Sequence, residues 1–235
     1  MTPLATLFNM DGILFMIRWL HIFAGLIWIG HLYYFNFTQT PFFAETEAPV
    51  RSGAIQKLVP RALWWFRWGA FWTWVLGVVM VGAYGHQLGN AYFESSRGLS
   101  VLIGGLMGTV MAANVWFVIW PAQQVVIKNA IDTAAGQPAN PAAAARGARA
   151  SVASRTNVLL SVPMLFLMVA STHWAFLVDE SSNLMVLWIA IFIVVGAVEV
   201  NALKGKLGPM STVKGTIGLG FALTALVVIL MHLFV

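Results

Sequence analysis

The sequence predicts an all-α fold: a polytopic integral membrane helix bundle of about six transmembrane helices, with both termini on the periplasmic side. Three observations carry this. Apolar residues make up 60% of the 235-residue chain and charged residues only 9%, whereas soluble domains carry about a quarter charged residues. Mean hydropathy is +0.81. The apolar residues also gather into six runs, each near the roughly 20 residues that cross a bilayer. These numbers exclude a cytosolic enzyme and a disordered tail, and a chain with no cysteine is no disulfide scaffold. The net charge of +5 is scattered between apolar runs and reads as loop bias, so no nucleic-acid partner is expected. The expected partner is the lipid bilayer, and the expected location is the cytoplasmic (inner) membrane.

The first span, Gly12–Phe37, is too long for a signal-peptide core and no small-residue cleavage site follows it, so it is expected to stay in the chain. It carries Arg18, His21, Trp28 and His31. The second, Ala62–Tyr84, opens on Trp64 and Trp65, as membrane boundaries favour; Arg67 lies close enough to that boundary to snorkel to it. The third, Gly98–Trp120, holds Gly104 and Gly108 at a helix-packing spacing and Asn114 as interhelical glue. Residues 123–156 are predicted as a cytoplasmic loop. Its first part continues the third helix, and the Ala/Pro/Gly-rich piece Thr133–Ala150 reads as a mobile linker. The fourth span, Asn157–Val178, contains His173. The fifth, Leu184–Leu203, contains Glu199, which reads as interfacial beside Lys204. The sixth, Val213–Val235, contains His232. Residues 1–235 thus form a single transmembrane domain.

Orientation follows from the loops. The first, third and fifth hold Arg51, Lys57, Arg61, Lys128, Arg146, Arg149, Arg155, Lys204, Lys206 and Lys214, against Arg97 alone in the second and fourth. Basic residues stay inside. The odd loops are therefore predicted to be cytoplasmic.

No phosphate-binding glycine loop, HExxH or nucleophile elbow occurs, and no catalytic residue is identified. The informative residues are the polar ones within spans, which lipid penalises. His21 lies nine residues into the first span, about 13 Å deep, and His173 lies seven residues from the outer end of the fourth, about 10 Å deep. Histidines at matched depth on separate helices suit bis-imidazole ligation of a haem b iron, with His232 as the reserve ligand. Arg18 shares the His21 face one turn away and would meet a haem propionate. Taken singly, each histidine is more often an interhelical hydrogen-bond partner, and that reading stays open.

The first span reads RWLHIFAGLIWIGHLYYF, and further stretches read FRWGAFWTWVLG (Phe66–Gly77), ANVWFVIWPAQQ (Ala113–Gln124) and SRTNVLLSVPMLFLMVASTHW (Ser154–Trp174). Four such stretches in this order resemble the N-terminal membrane domain of the bacterial urate oxidase (urate hydroxylase) family, over roughly Arg18–Trp174. Full-length members of that family end in a cytochrome c domain. The opening pattern WLHxxxxxxWxG is also similar to that of the membrane-bound protoporphyrinogen oxidase family, whose corresponding histidine is linked to haem. The resemblance implies that His21 is the motif histidine, with Trp28 two turns along the same face. His31 departs from the family pattern and takes no role. No CxxCH is present, so the expectation is either that electrons pass to a separate protein or that the activity has been lost.

The expected function is an integral membrane haem b redox protein. It would pass electrons from a reduced substrate (urate or quinol) to an external cytochrome c or a partner complex, which makes it an oxidoreductase or an electron-transfer subunit. The competing reading is a non-redox accessory subunit of a respiratory or photosynthetic complex, with its histidines as interhelical hydrogen-bond partners.

Overall fold

The computed structural model describes residues 9–235. In chain order its helices are α1 (Met10–Glu45), α2 (Ala48–Lys57), α3 (Val59–Leu88), α4 (Asn90–Glu94), α5 (Ser96–Ala134), α6 (Ala143–His173), α7 (Leu184–Lys204) and α8 (Val213–Phe234). Six of them, all but α2 and α4, are long and apolar enough to cross a membrane. The described residues form no strand. Short polar side chains start four of the long helices by accepting a free amide of the first turn. Asn9 caps α1, Ser95 caps α5, Asn183 caps α7 and Thr212 caps α8.

The helices alternate in direction. One end of the bundle, called the terminal end, carries the start of α1, the end of α8 and the connection between α6 and α7; the other carries most of the Lys and Arg and is called the basic end below. At the terminal end, the Asn183 amide donates to the Phe234 carbonyl at 2.8 Å and the Ser182 hydroxyl to the Val235 carbonyl at 2.9 Å. These bonds tie the α6–α7 connection to the end of α8.

Helix α6 is the buried centre, packed by α5, α8, α7 and the inner part of α1. Helix α1 pairs chiefly with α3 along a seam of small residues. A Cβ on Gly69 would lie 3.0 Å from the Trp28 backbone nitrogen and 3.3 Å from the Ala24 carbonyl oxygen, so any side chain here would push the two backbones apart by a few tenths of an ångström. Of the pair Gly104 and Gly108, Gly104 meets α6, where a Cβ would sit 3.3 Å from that of Leu167; Gly108 faces open space.

Two helices change pitch at related places. Tyr34–Gln39 in α1 and Asn114–Ile119 in α5 form π-helical turns. Each is followed by a proline, Pro41 or Pro121. Proline lacks an N–H and crowds the carbonyl one turn earlier, and a widened turn relieves both faults. Side-chain donors also reach carbonyls at these turns, two of which, Phe35 and Met111, accept a backbone amide as well. In α1, Asn36 Nδ2 donates to the Leu32 carbonyl at 2.8 Å and Thr40 Oγ1 to the Phe35 carbonyl at 2.7 Å. In α5, Asn157 Nδ2 reaches across from α6 to the Met111 carbonyl at 2.9 Å.

The segment read as a mobile linker is helical apart from 135–142. Its alanines favour helix, and their small size lets α6 lie against α5: Gly147 faces Val126, and Ala130, Ala143 and Ala150 are buried. The turn is closed by the Asn140 amide donating to Asn129 Oδ1 at 2.6 Å. Arg155, counted above among loop cations, lies inside α6 and is 5% exposed. The basic excess of the odd loops survives its removal.

Candidate functional site

His21 projects from α1 onto α3, where its Nδ1 lies 2.8 Å from the Thr73 carbonyl oxygen. A carbonyl only accepts, so Nδ1 carries the proton and Nε2 keeps its lone pair. The ring rests on Gly77, where a Cβ would come within 3.2 Å of His21 Cε1. Thr73 turns its own hydroxyl back to the Gly69 carbonyl at 2.7 Å, which leaves its carbonyl facing the imidazole. Two turns along α1, Trp28 is 2% exposed, and its indole Nε1 has no hydrogen-bond partner.

Arg18, one turn toward the terminal end, donates through Nη2 to the Tyr84 hydroxyl of α3. The Arg18 and Arg97 guanidinium carbons lie 5.8 and 4.9 Å from the Tyr84 ring centroid. Tyr84 stacks on buried Tyr92 of α4, with centroids 5.6 Å apart. Burial pushes the Tyr92 phenol above its ordinary value, and the Arg97 guanidinium pulls the other way.

His173 is the last residue of α6 and is exposed. His232 of α8 stands 5.2 Å from the Phe176 ring and 6.4 Å from that of Trp174, centroid to centroid. The contacts of His21 thus run to α3, whereas those of His232 run to the α6–α7 connection. His31 bonds its own helix, Nδ1 to the Ile27 carbonyl at 2.7 Å. Among the described residues no group of three or more metal-ligating side chains gathers.

The half of the bundle toward the basic end is more polar than its sequence announces. Asn114, 1% exposed, opens the π turn of α5 and donates to Asn157 Oδ1 at 3.1 Å and to Glu199 Oε2 at 2.9 Å. Its role as glue between helices holds, and Glu199, read as interfacial, is its partner on α7. Asn36 Nδ2 also donates to Ser154 Oγ, and Tyr33 shares a hydrogen bond with Ser161, both at 2.8 Å. Residues 154, 157 and 161 therefore form a polar row along α6.

Arg67, expected to snorkel, is enclosed by indoles. Its guanidinium carbon lies 3.9 Å from the ring centroid of Trp120, 4.9 Å from that of Trp116 and 5.6 Å from that of Trp68. Cations are attracted to aromatic faces within about 6 Å, more strongly where water is excluded. The available signal was the spacing of Trp116 and Trp120, one turn apart on a single helix face. For Asn36 and Asn157 the available signal was the prolines Pro41 and Pro121 just past the ends of two apolar runs, where helices that continue need altered hydrogen bonding.

Residues 85–231 match the model of a family described as urate oxidase N-terminal. The match takes in Asn114, Asn157, His173 and Glu199, while His21 and the WLHxxxxxxWxG stretch precede it. No curated protein and no solved structure matches the chain. A family model that takes in α5, α6 and α7, together with a bundle built to cross a membrane six times, identifies this chain as a member of the urate oxidase N-terminal family.

Proposed function

We propose that the chain is a membrane redox protein of the bacterial inner membrane. In this reading it holds haem b at His21 and passes electrons from a reduced substrate (urate or quinol) to an external cytochrome c or a partner complex. The observation that carries it is the Nδ1 bond from His21 to the Thr73 carbonyl. That bond fixes the ring's orientation and tautomer and leaves Nε2 as a ligand atom, the arrangement found for metal-bound imidazoles. The surroundings fit such a group. Gly77 lacks the side chain that would crowd the ring, and the unpartnered indole Nε1 of Trp28 lies two turns along the same helix.

When bound, haem b supplies one-electron transfer. The chain's own residues do the rest. His21 would ligate it, the α1–α3 seam would exclude water, and Arg18, one turn away, would supply a guanidinium for a propionate. His173 is the proposed opposing ligand and His232 its reserve.

The test is the visible spectrum of purified protein expressed with ample haem. A Soret band that His21→Ala removes and His31→Ala leaves unchanged is the expected result. His173→Ala should abolish low-spin, bis-imidazole character. Loss of that character on His232→Ala instead would transfer the second ligand to α8. A protein that takes up no haem, and co-purifies in fixed ratio with a larger respiratory or photosynthetic complex, would sink the redox reading.

A further inference from the structure

Helices α6, α7 and α8 and the α7–α8 connection border an open cleft of about 530 Å³, within the roughly 300–1,000 Å³ of small-molecule sites. Its walls are mostly apolar, with Leu159 of α6, Val198 of α7 and Leu219 of α8 among them. Three polar side chains border it too: Thr156, Asn201 and Lys206. The two kinds of residue stand at different depths. Thr156 is 17 residues from the terminal end of α6 at His173, about 25 Å along the axis, which nears the full 30 Å of a bilayer's hydrocarbon. Lys206 lies just past the end of α7 at Lys204 and is exposed. Val198 and Leu219 each lie six residues inside their helices, counted from Lys204 and Val213, about 9 Å farther into the apolar layer. The cleft thus has a polar mouth at headgroup level and apolar walls below it.

We infer that this cleft is a binding site for an anionic phospholipid, with the phosphate beside Lys206 and one acyl chain along the apolar walls. Charge selects the headgroup. From Leu203 to Val235 the chain holds Lys204, Lys206 and Lys214 but no Asp or Glu, and the one ion pair among the described residues, Lys128–Asp132, lies elsewhere. Arg155, next to Thr156 on α6, is 5% exposed and its Nη1 is buried without a partner. Thr156 Oγ1 is buried and unpartnered as well, a hydroxyl left for an ester or phosphate oxygen. Basic pockets between transmembrane helices bind anionic headgroups in this way. Other occupants fit less well. A soluble anion would leave the apolar walls uncovered, and a neutral quinone would leave the lysines without a counter-anion. A second copy of this chain would bring its own net charge of +5 against them.

The inference is independent of haem and of the electron donor. The cleft lies toward the basic end and shares no residue with the surroundings of His21. A lipid seated there would bridge α6, α7 and α8, and a ligand bound only by the folded chain stabilises it.

The experiment is native mass spectrometry of the full chain in a non-ionic detergent, titrated with dioleoylphosphatidylglycerol and, separately, with dioleoylphosphatidylcholine. One phosphatidylglycerol per chain should be retained in preference to phosphatidylcholine. Lys206→Gln should weaken retention about fivefold, the worth of one lysine at an anionic surface, and Lys206→Arg should restore most of it. Ala197→Trp, at an exposed position on the cleft wall, blocks the path of the acyl chain and should abolish retention without altering a charge. Lys128→Gln removes the same charge from the exposed flank of α5 and should leave retention unchanged. Should these variants fail to fold, the parent chain gives a second readout: phosphatidylglycerol should raise its unfolding midpoint and phosphatidylcholine should not. Equal retention of the two lipids, or retention that survives both Lys206→Gln and Ala197→Trp, overturns the inference. So does a loss on Lys128→Gln as large as that on Lys206→Gln, which marks diffuse attraction. Displacement of the lipid by inorganic phosphate or by a short-chain quinone, or a lipid-free dimer, overturns it in favour of another occupant.

Discussion

Asn157 joins three helices through one carboxamide: it donates to the Met111 carbonyl and accepts from Asn114, which also holds Glu199. Asn157→Leu keeps the volume and removes both bonds. Two buried hydrogen bonds between α5 and α6 are lost, so a loss of about 1–3 kcal/mol is expected, read as a lower unfolding midpoint in detergent. Asn36→Leu should cost a similar amount, since it removes the bonds to the Leu32 carbonyl and to Ser154. The polar atoms of this region were legible as residue types but not as a network. Asn114 and Glu199 stand 85 positions apart, and nothing local in either stretch tells that α7 brings the carboxylate to the π turn. Arg67 illustrates the same limit. Its distance from a span boundary suggested escape to water, whereas the three indoles around it are a property of α3 and α5 packed together.

At the scale of elements, the spans were legible because continuous apolarity is a sufficient signal for a helix in lipid. Their ends were less so. Hydropathy falls where a helix leaves the apolar layer, but the helix itself continues, as α1 does to Glu45 and α5 to Ala134. The alanine-rich stretch was misjudged for a related reason: low complexity predicts a loop only when no neighbouring surface accepts small side chains, and α5 does. The α1–α3 seam gives the sharpest prediction here. Gly69→Val places a branched side chain against the Trp28 backbone, and overpacking of this kind costs about 1–3 kcal/mol. It should lower the unfolding midpoint and, on the haem reading proposed above, weaken haem retention with it, because His21 is seated by the same seam. Gly108→Val, which meets open space, is the matched control.

For the whole molecule, the basic end fixes the expected orientation. Reporter fusions after Ala139 and after Val235 should report the cytoplasm and the periplasm respectively, and the opposite pattern would invert the bundle. The length of α5 has a further consequence. Its 39 residues run roughly 58 Å, beyond the 40–45 Å of a bilayer with its headgroups. The α5–α6 hairpin must therefore stand out into water at the basic end, where Lys128 and Asp132 pair at 2.7 Å on its exposed flank. It stands as a stiff mast, held by packed alanines and ending in the eight-residue turn 135–142. A soluble marker domain spliced between Gln137 and Pro138 should leave the unfolding midpoint within about 0.5 kcal/mol of the parent, as changes away from packed features do. The mast would hold that marker at a fixed angle, giving single-particle imaging an orientation signal that a 25.7 kDa protein buried in a micelle otherwise lacks.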